Sequence, residues 1–174
     1  MLKAFAAAAG LVACAALCWI AARGEGATAF SSAAPIVHRA PPQLVPGSGT
    51  RIVVLGYVGC ATTCPLTLRT ISRAVALLPH RERVDAVFVD VDPSVDTAAT
   101  VERFARHFAR VRGFRPTAAD AVTIENALGA APARRSGGEL DHDARIFLID
   151  AHGAVDALLP DVTPERLARA VAAR

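Results

Sequence analysis

The hydrophobic positions of the chain form short continuous runs that alternate with helical stripes. The run RIVVLGYV at residues 51–58 is rich in β-branched residues, which is typical of a buried strand. The run VDAVFVDV at residues 84–91 has the same character and ends at Asp92 and Pro93, two residues that favour a turn. Residues 144–160 predict two further strands about a glycine turn.

Between and after these strands, apolar residues recur at helical spacing in four segments: 65–78, 97–111, 117–129 and 163–174. Thr163 and Pro164 fit the cap and the first turn of the last helix, and glycine ends the third. Residues 130–141 predict a polar loop. The order strand, helix, strand, helix, helix, strand, strand, helix therefore predicts an α/β fold, with a partly parallel central sheet covered by helices on both faces.

An apolar run near the amino terminus predicts export. Residues 4–22 carry no charge, and about nineteen such residues come close to the roughly 20 that cross a bilayer as a helix. Lys3 precedes the run, so the rest of the chain should face outward. Three versions remain open: an uncleaved membrane anchor over residues 1–23, a signal peptide cleaved near ATA at residues 27–29, or a lipoprotein with lipid on Cys14. Each version places the folded part in an oxidising exterior or periplasm.

The segment between this run and the first strand has a different composition. Residues 24–50 are dense in Gly, Pro, Ser and Ala and show little periodicity, which predicts a tether with at most a short strand. The predicted organisation is therefore an anchor or signal over residues 1–23, a tether over 24–50 and one folded domain over 51–174.

The overall composition excludes some classes of protein. Hydrophobic residues make up 53% of the chain and charged residues 20%, which excludes a disordered chain. The formal net charge of +3 is too small to indicate a nucleic-acid partner.

Two cysteines carry the clearest chemistry. Cys60 and Cys64 lie in the loop after the first strand, and Cys64 stands immediately before Pro65 and the first helix. Open α/β sheets place their ligand sites at the carboxyl ends of strands. The unpaired N–H groups and the dipole of a helix start favour an anion, so we expect Cys64 to ionise more readily than an ordinary thiol.

The spacing of the two cysteines leaves two uses open. In a helix their β-carbons would lie about 5–6 Å apart, whereas a disulfide requires about 3.5–4.5 Å. Two sulfurs bound to one metal, each at about 2.3 Å, need not touch each other. A disulfide over so few residues would also restrict the unfolded chain little. The spacing therefore suits a metal or a reversible disulfide about equally, and a permanent crosslink poorly.

A metal site would need a further ligand. Soft sulfur prefers Cu(I), and imidazole suits copper in either oxidation state. Among the histidines, His80 and His107 fit exposed helical positions, His38 lies in the tether and His152 belongs to a turn. His142 lies in a polar loop that leads into a strand, a common location for functional residues. The residues alone do not decide between a ligand and an ordinary loop histidine.

Three segments of the chain resemble a known family. GYVGCATTCPLTL (residues 56–68), VFVDVDPSVDT (87–97) and LDHDARIFLID (140–150) resemble, in order and spacing, signature segments of the Sco/SenC family of copper-binding, thioredoxin-like proteins. The resemblance covers about residues 51–174. It implies a thioredoxin-like fold with a central mixed sheet.

The resemblance also implies a site and partners. In that family the two motif cysteines and the late histidine bind copper, and they correspond here to Cys60, Cys64 and His142. The implied cargo is copper, as Cu(I) or Cu(II). Family members are tethered to the membrane and assist assembly of the binuclear copper centre of cytochrome c oxidase. The implied partners are the copper-accepting subunit of a respiratory oxidase and other periplasmic copper or thiol carriers, with the domain held in the periplasm at the bacterial inner membrane.

Two acids are candidates for a supporting role. Asp92 lies at the carboxyl end of a strand, where its carboxylate can reach the site, although an Asp-Pro turn is the commoner reason for such a residue. Asp141 can orient His142 as a hydrogen-bond acceptor, or it is a solvated loop acid.

Three functions compete. The first is a copper chaperone that holds the ion and passes it on by ligand exchange. The second is a thiol–disulfide oxidoreductase, in which Cys60 and Cys64 form the redox pair and keep the client's metal-site cysteines reduced. A peroxidase of the peroxiredoxin type would have Thr or Ser three residues before its reactive cysteine, where this chain has Tyr57 and Ala61. The stretch LDHDA lacks the proline that a thioredoxin-like reductase usually carries there, which favours the metal.

Overall fold

The computed structural model of the chain describes residues 39–130, 133–134, 140–141, 145–158 and 161–174. The predicted export segment over residues 1–23, the first part of the predicted tether and His142 lie outside these ranges. Across the described ranges, no helix is both long enough and apolar enough to span a membrane.

The described residues form seven strands, four α-helices and two short 3₁₀ turns. The strands are β1 (Thr50–Gly56), β2 (Val84–Asp90), β3 (Val111–Phe114), β4 (Ala133–Arg134), β5 (Leu140–Asp141), β6 (Ile146–Ile149) and β7 (Val155–Leu158). The helices are α1 (Thr63–Ala76), α2 (Ala98–Ala105), α3 (Ala118–Ala127) and α4 (Pro164–Ala172), and the 3₁₀ turns are Pro42–Leu44 and Arg81–Arg83.

Five strands form one mixed sheet in the order β3-β2-β1-β6-β7. β1 lies in the middle, parallel to β2 and antiparallel to β6. Both faces of β1 are buried, because helices cover each of them. Successive side chains point to opposite faces: Ile52 packs in the same cluster as α1 and α4, and Val53 packs with α3. The predicted α/β fold, with a central mixed sheet and helices on both faces, is confirmed.

The helix predicted over residues 97–111 is shorter than its pattern indicated. α2 ends at Ala105, and residues 111–114 instead form the edge strand β3 beside β2. Gly113 allows this, because a β-carbon there would lie 2.7 Å from the carbonyl oxygen of Val101 in α2. The Gly113 N–H donates to the Glu102 carboxylate at 2.9 Å, so the helix covers part of the strand edge.

Packing against the domain begins before residue 51. Arg39 forms a β-bridge with Ala154, and the N–H of Ala40 donates to the Gly153 carbonyl at 2.9 Å. Leu44 is 1% exposed and belongs to the same core cluster as Val53. Residues 39–49 therefore lie on the domain, although their composition predicts a tether.

The polar loop predicted over residues 130–141 contains two short strands. β4 and β5 pair antiparallel, with Arg134 opposite Leu140. Leu140 is buried in the core cluster that contains α3, which fixes the end of this segment to the domain.

Candidate metal centre

The end of β1 leaves room for a sulfur atom. β1 ends at Gly56, and a β-carbon built on that glycine would lie 2.5 Å from Sγ of Cys64 and 2.7 Å from Cε2 of Phe88. A side chain at position 56 would therefore displace the sulfur or the ring. The absence of one allows Cys64, in the first turn of α1, to approach the end of the central strand.

Cys60 lies in the turn that connects β1 to α1. Its N–H donates to the carbonyl of Tyr57 at 3.1 Å, and its Sγ accepts the N–H of Cys64 at 3.4 Å. Thr62 stands at the N-cap of α1 but makes no side-chain capping bond. The Cys60 sulfur therefore takes one of the N–H groups that a helix start leaves without a partner in the helix. Both cysteines are free thiols.

Both thiols are shielded from water. Cys60 is 6% exposed and Cys64 is 1% exposed. Burial raises the pKa of the Cys64 thiol, and the hydrogen bond and charge of Cys60 raise that pKa further. Backbone hydrogen bonds of Tyr57 and Cys64 lower it by less. The expectation that Cys64 ionises more readily than an ordinary thiol is wrong for the metal-free chain, because desolvation outweighs the field of the helix start.

A buried acid lies beside the cysteine loop. Asp90 is the last residue of β2 and lies opposite Gly56 in the register of β1 and β2. The residue is fully buried. Its Oδ1 accepts the N–H of Asp92 at 3.2 Å, while its Oδ2 has no donor. Burial raises the pKa of Asp90 to about 7, and the neighbouring Asp96 and Asp92 also favour the protonated form. A proton on Asp90 removes the charge that this buried, unpartnered oxygen would otherwise carry.

Asp96 connects the two loops at this edge of the sheet. Its Oδ2 accepts the N–H of Val58, in the cysteine loop, at 3.0 Å. The N–H of Val91 also donates to the Gly56 carbonyl at 2.8 Å. Arg115 donates to the backbone carbonyls of Asp96 and Pro93 and holds their turn. The cysteine loop is therefore tied to the loop after β2.

The two acids predicted to support the site are only partly described. Asp92 is 6% exposed; its carboxylate accepts the Ser94 hydroxyl at 2.9 Å, and its carbonyl accepts the N–H groups of Val95 and Asp96. These bonds are those of an Asp-Pro turn, and a role beside a metal stays a prediction. Asp141 is placed by its backbone in β5, immediately before His142 in the chain.

His142 itself lies outside the described residues. The strand that follows it, β6, runs antiparallel to β1 with Ile146 opposite Val54. The amino-terminal end of β6 therefore lies at the same sheet edge as Gly56 and the cysteine loop. Its role as a ligand stays a prediction. His80, His107 and His152 are exposed, as their positions predicted.

Sequence reasoning did not single out Asp90, Asp96 or Glu125. Asp90 had a signal, because it is an acid inside an otherwise apolar strand. Glu125 also had one, since it follows Ile124 and stands four positions after Ala121, both of them buried on α3. Asp96 had none, because its role depends on the fold of the turn after β2.

Comparison with known proteins identifies the family. A family model described as SCO1/SenC matches residues 47–174. The chain belongs to the SCO1/SenC family. A SCO2-like protein of Rickettsia felis is 26% identical over 110 residues, which cover 59% of this chain and 54% of the relative. The chain thus spans about half the length of the curated relatives it matches.

Solved Sco structures share the fold. The structure of Bradyrhizobium japonicum ScoI with copper bound has a TM-score of 0.64 and 25% identity, covering 75% of this chain and 87% of that one. Apo Sco1 of Thermus thermophilus has a TM-score of 0.62 and 26% identity, covering 79% and 86%. The domain therefore has the thioredoxin-like Sco fold. Among the residues described for this Sco-family chain, no three His, Cys, Asp or Glu side chains are grouped to hold a metal ion.

Proposed function

We propose that this chain is a copper metallochaperone. It binds one copper ion, as Cu(I) or Cu(II), through Cys60, Cys64 and His142. It then delivers the ion to the copper-accepting subunit of a respiratory oxidase. Membership of the SCO1/SenC family supports the proposal, as does a similar fold in a ScoI structure that holds copper.

One observation carries the proposal. The sulfur of Cys64 lies over the Gly56 end of the central strand, and the sulfur of Cys60 lies close enough to accept the Cys64 N–H. Two free thiols at one strand end offer a soft pair of ligands that suits Cu(I). An imidazole from the segment before β6 would complete a set that also holds Cu(II).

Delivery requires the buried thiols to become accessible. In ligand exchange, a sulfur of the acceptor binds the ion before a sulfur of the donor leaves it. Cys60 is 6% exposed and Cys64 is 1% exposed, so the turn that carries Cys60 must open toward the partner. Ala61 and Thr62 in this turn are exposed, which makes it the natural point of contact.

The test is a copper titration of the reduced full chain in detergent. We expect one Cu(I) per chain and, after oxidation to Cu(II), sulfur-to-copper charge-transfer absorption. Cys60→Ser and Cys64→Ser should each weaken Cu(I) binding at least tenfold. His142→Ala should weaken Cu(II) binding more than Cu(I) binding, because two thiolates still hold the softer ion.

Exposed His107 provides the matched control. If His142→Ala and His107→Ala bind Cu(II) equally well, the assignment of His142 fails. If both serine variants bind Cu(I) like the unchanged chain, the chaperone proposal itself fails.

A second function, thiol–disulfide exchange, is favoured by the hydrogen bond from the Cys64 N–H to the Cys60 sulfur. Such a bond keeps the two cysteines close together, as a reversible disulfide requires. The Cys60 thiolate would attack a client disulfide, form a mixed disulfide and release one client thiolate. The Cys64 thiolate would then attack the Cys60 sulfur and release the second, leaving the client reduced and the chain oxidised. Trapping the mixed disulfide in Cys64→Ser, but not in Cys60→Ser, would support this order.

We also propose that residues 1–23 hold the chain at the bacterial inner membrane with the domain in the periplasm. Secretion to the periplasm and lipidation at Cys14 are the alternatives. Protease treatment of spheroplasts and labelling with a fatty acid distinguish them. Cys14→Ser abolishes labelling only in the lipoprotein, and Cys18→Ser is the matched control.

A further inference from the structure

A cavity of about 280 Å³ lies between the loop after β2, helix α3 and strand β5. Its lining includes Asp92 and Ser94 from the loop, Ala121, Val122 and Glu125 from α3, and Leu140 from β5. The walls are mostly apolar, with carboxyl groups on two sides.

Glu125 is the unusual member of this lining. It is 7% exposed, and in the described part of the chain no group forms an ion pair or a hydrogen bond with its carboxyl. Burial alone raises the pKa of Glu125 to about 7. Asp92, the other acid of the cavity, already accepts the hydroxyl of Ser94. Glu125 thus places a largely buried carboxyl, with no partner among the described residues, at the wall of the cavity, where it can pair with a cation that enters.

We propose that this cavity receives an arginine or lysine side chain of the protein that accepts copper. The inference rests on the proposed function, because it assigns a docking contact to that same transfer step.

Charge and shape complementarity support a cationic side chain. Ala121, Val122 and Leu140 offer an apolar wall for the aliphatic stem, and Glu125 offers a carboxylate for the charged head. A bound metal ion fits less well, since no three acidic, thiol or imidazole side chains are grouped among the described residues.

The surroundings support a protein as the source of the cation. Val122 on the rim is 56% exposed, and Val95, next to Ser94, is 71% exposed. These two side chains offer a docked protein apolar contact area beside the carboxyl of Glu125. The cavity loop also leads directly to Asp96, which accepts the Val58 N–H of the cysteine loop. A partner docked here would therefore lie beside the copper ligands.

The contact should depend on pH. Among the described side chains that line the cavity, Asp92 and Glu125 are the titratable ones, since Leu140 and the lining residues Ala118, Ala121 and Val122 are apolar. Only ionised Glu125 attracts a cation. With its pKa at about 7 in the empty cavity, the affinity for a cation should fall about tenfold from pH 8 to pH 6.

The experiment uses propylguanidinium as the probe and propylurea as its neutral analogue. The full chain, in detergent and with labelled methyl groups, is titrated with each compound and followed by NMR at Val122 and Leu140. We expect millimolar binding of propylguanidinium, at least fivefold weaker binding of propylurea, and the pH dependence above. Glu125→Gln should weaken cation binding at least fivefold, whereas Glu165→Gln, an exposed acid on α4, should leave it unchanged.

Three results would overturn the proposal. They are equal cation binding by Glu125→Gln, equal binding of propylurea, and micromolar or tighter binding of propylguanidinium. The last would indicate a dedicated small-molecule site, because one side chain of a docking surface contributes far less affinity. A Cu(I) titration separates this inference from the proposed function, and Glu125→Gln should bind Cu(I) like the unchanged chain. If the unchanged chain binds Cu(I) but not propylguanidinium, the docking pocket alone is rejected, whereas failure of the unchanged chain to bind Cu(I) rejects the proposed function.

Discussion

The sulfur of Cys64 occupies the space that a side chain on Gly56 would need. A β-carbon at position 56 would lie 2.5 Å from this sulfur, closer than atoms in contact can approach. The strand end and the first turn of α1 therefore fit together only with glycine at this position.

Gly56→Ala should destabilise the fold and disturb the thiol pair. Overpacking of this kind typically costs about 1–3 kcal/mol of unfolding free energy. We also expect weaker Cu(I) binding, because Cys64 must move. Urea unfolding and copper titration measure the two effects, and Gly47→Ala is the control, since nothing lies within 4 Å of a β-carbon there. Equal stability of the two variants would contradict the close approach.

Asp96→Ala should loosen the cysteine loop. The substitution removes the acceptor of the Val58 N–H and should cost about 1 kcal/mol of stability. Cys60 is 6% exposed in the unchanged chain, and in the variant it should react severalfold faster with a small alkylating reagent. Alkylation followed by mass spectrometry measures this rate, with the exposed Asp161→Ala as control. An unchanged rate would mean that the carboxylate does not hold the loop.

Asp90 should make the chain less stable as the pH rises toward neutral. Its pKa is about 7 in the folded chain against an ordinary value of 3.8, so the folded state binds more protons between these values. The stabilisation is complete below about pH 4 and disappears as the pH rises through about 7. Glu125 contributes in the same direction.

Asp90→Asn should remove the Asp90 part of this dependence. The amide carries no charge at any pH, so the variant avoids the cost of ionising a buried group and should be about 1–3 kcal/mol more stable at pH 8. Unfolding in urea at pH 5 and pH 8 measures how the unfolding free energy of each chain changes with pH. Asp156→Asn, which replaces an exposed acid, serves as control. If the unfolding free energy of Asp90→Asn changes with pH as much as that of the unchanged chain, a group other than Asp90 causes the dependence.

Leu44→Ala tests whether residues 39–49 belong to the domain. Leu44 is 1% exposed in the core cluster that contains α3, so the truncation should cost about 2–5 kcal/mol. Leu66→Ala, at a leucine that is 62% exposed, should change stability little. If the two substitutions change the thermal unfolding temperature by similar amounts, Leu44 does not pack in the core and residue 44 belongs to the tether.

The central strands were predictable because both of their faces are buried. Continuous β-branched runs, such as those at residues 51–58 and 84–91, are typical of strands that are covered on both sides. β3 was not predictable, since its first residue, Val111, continues the helical stripe of α2, and the turn that separates strand from helix at Arg110 (φ 64°) leaves no signal in that stripe. A short edge strand depends on what packs beside it, and local sequence does not contain that information.

The candidate site was predictable only in part. The sequence placed Cys60 and Cys64 together at a strand end, and the structure brings their sulfur and amide within hydrogen-bonding distance. The expectation that Cys64 ionises readily was wrong, because the depth of burial of a side chain cannot be read from the spacing of residues. The link from Asp96 to Val58 spans two loops that are far apart in sequence, so no local pattern carries it.

The cysteine loop leaves the sheet from its middle strand, whose backbone is hydrogen-bonded on both sides. Middle strands are usually the last part of a protein to exchange their amide hydrogens. If copper delivery proceeds as proposed, the turn would open from a base that stays fixed. Repeated loading and unloading would then leave the fold of the rest of the molecule intact.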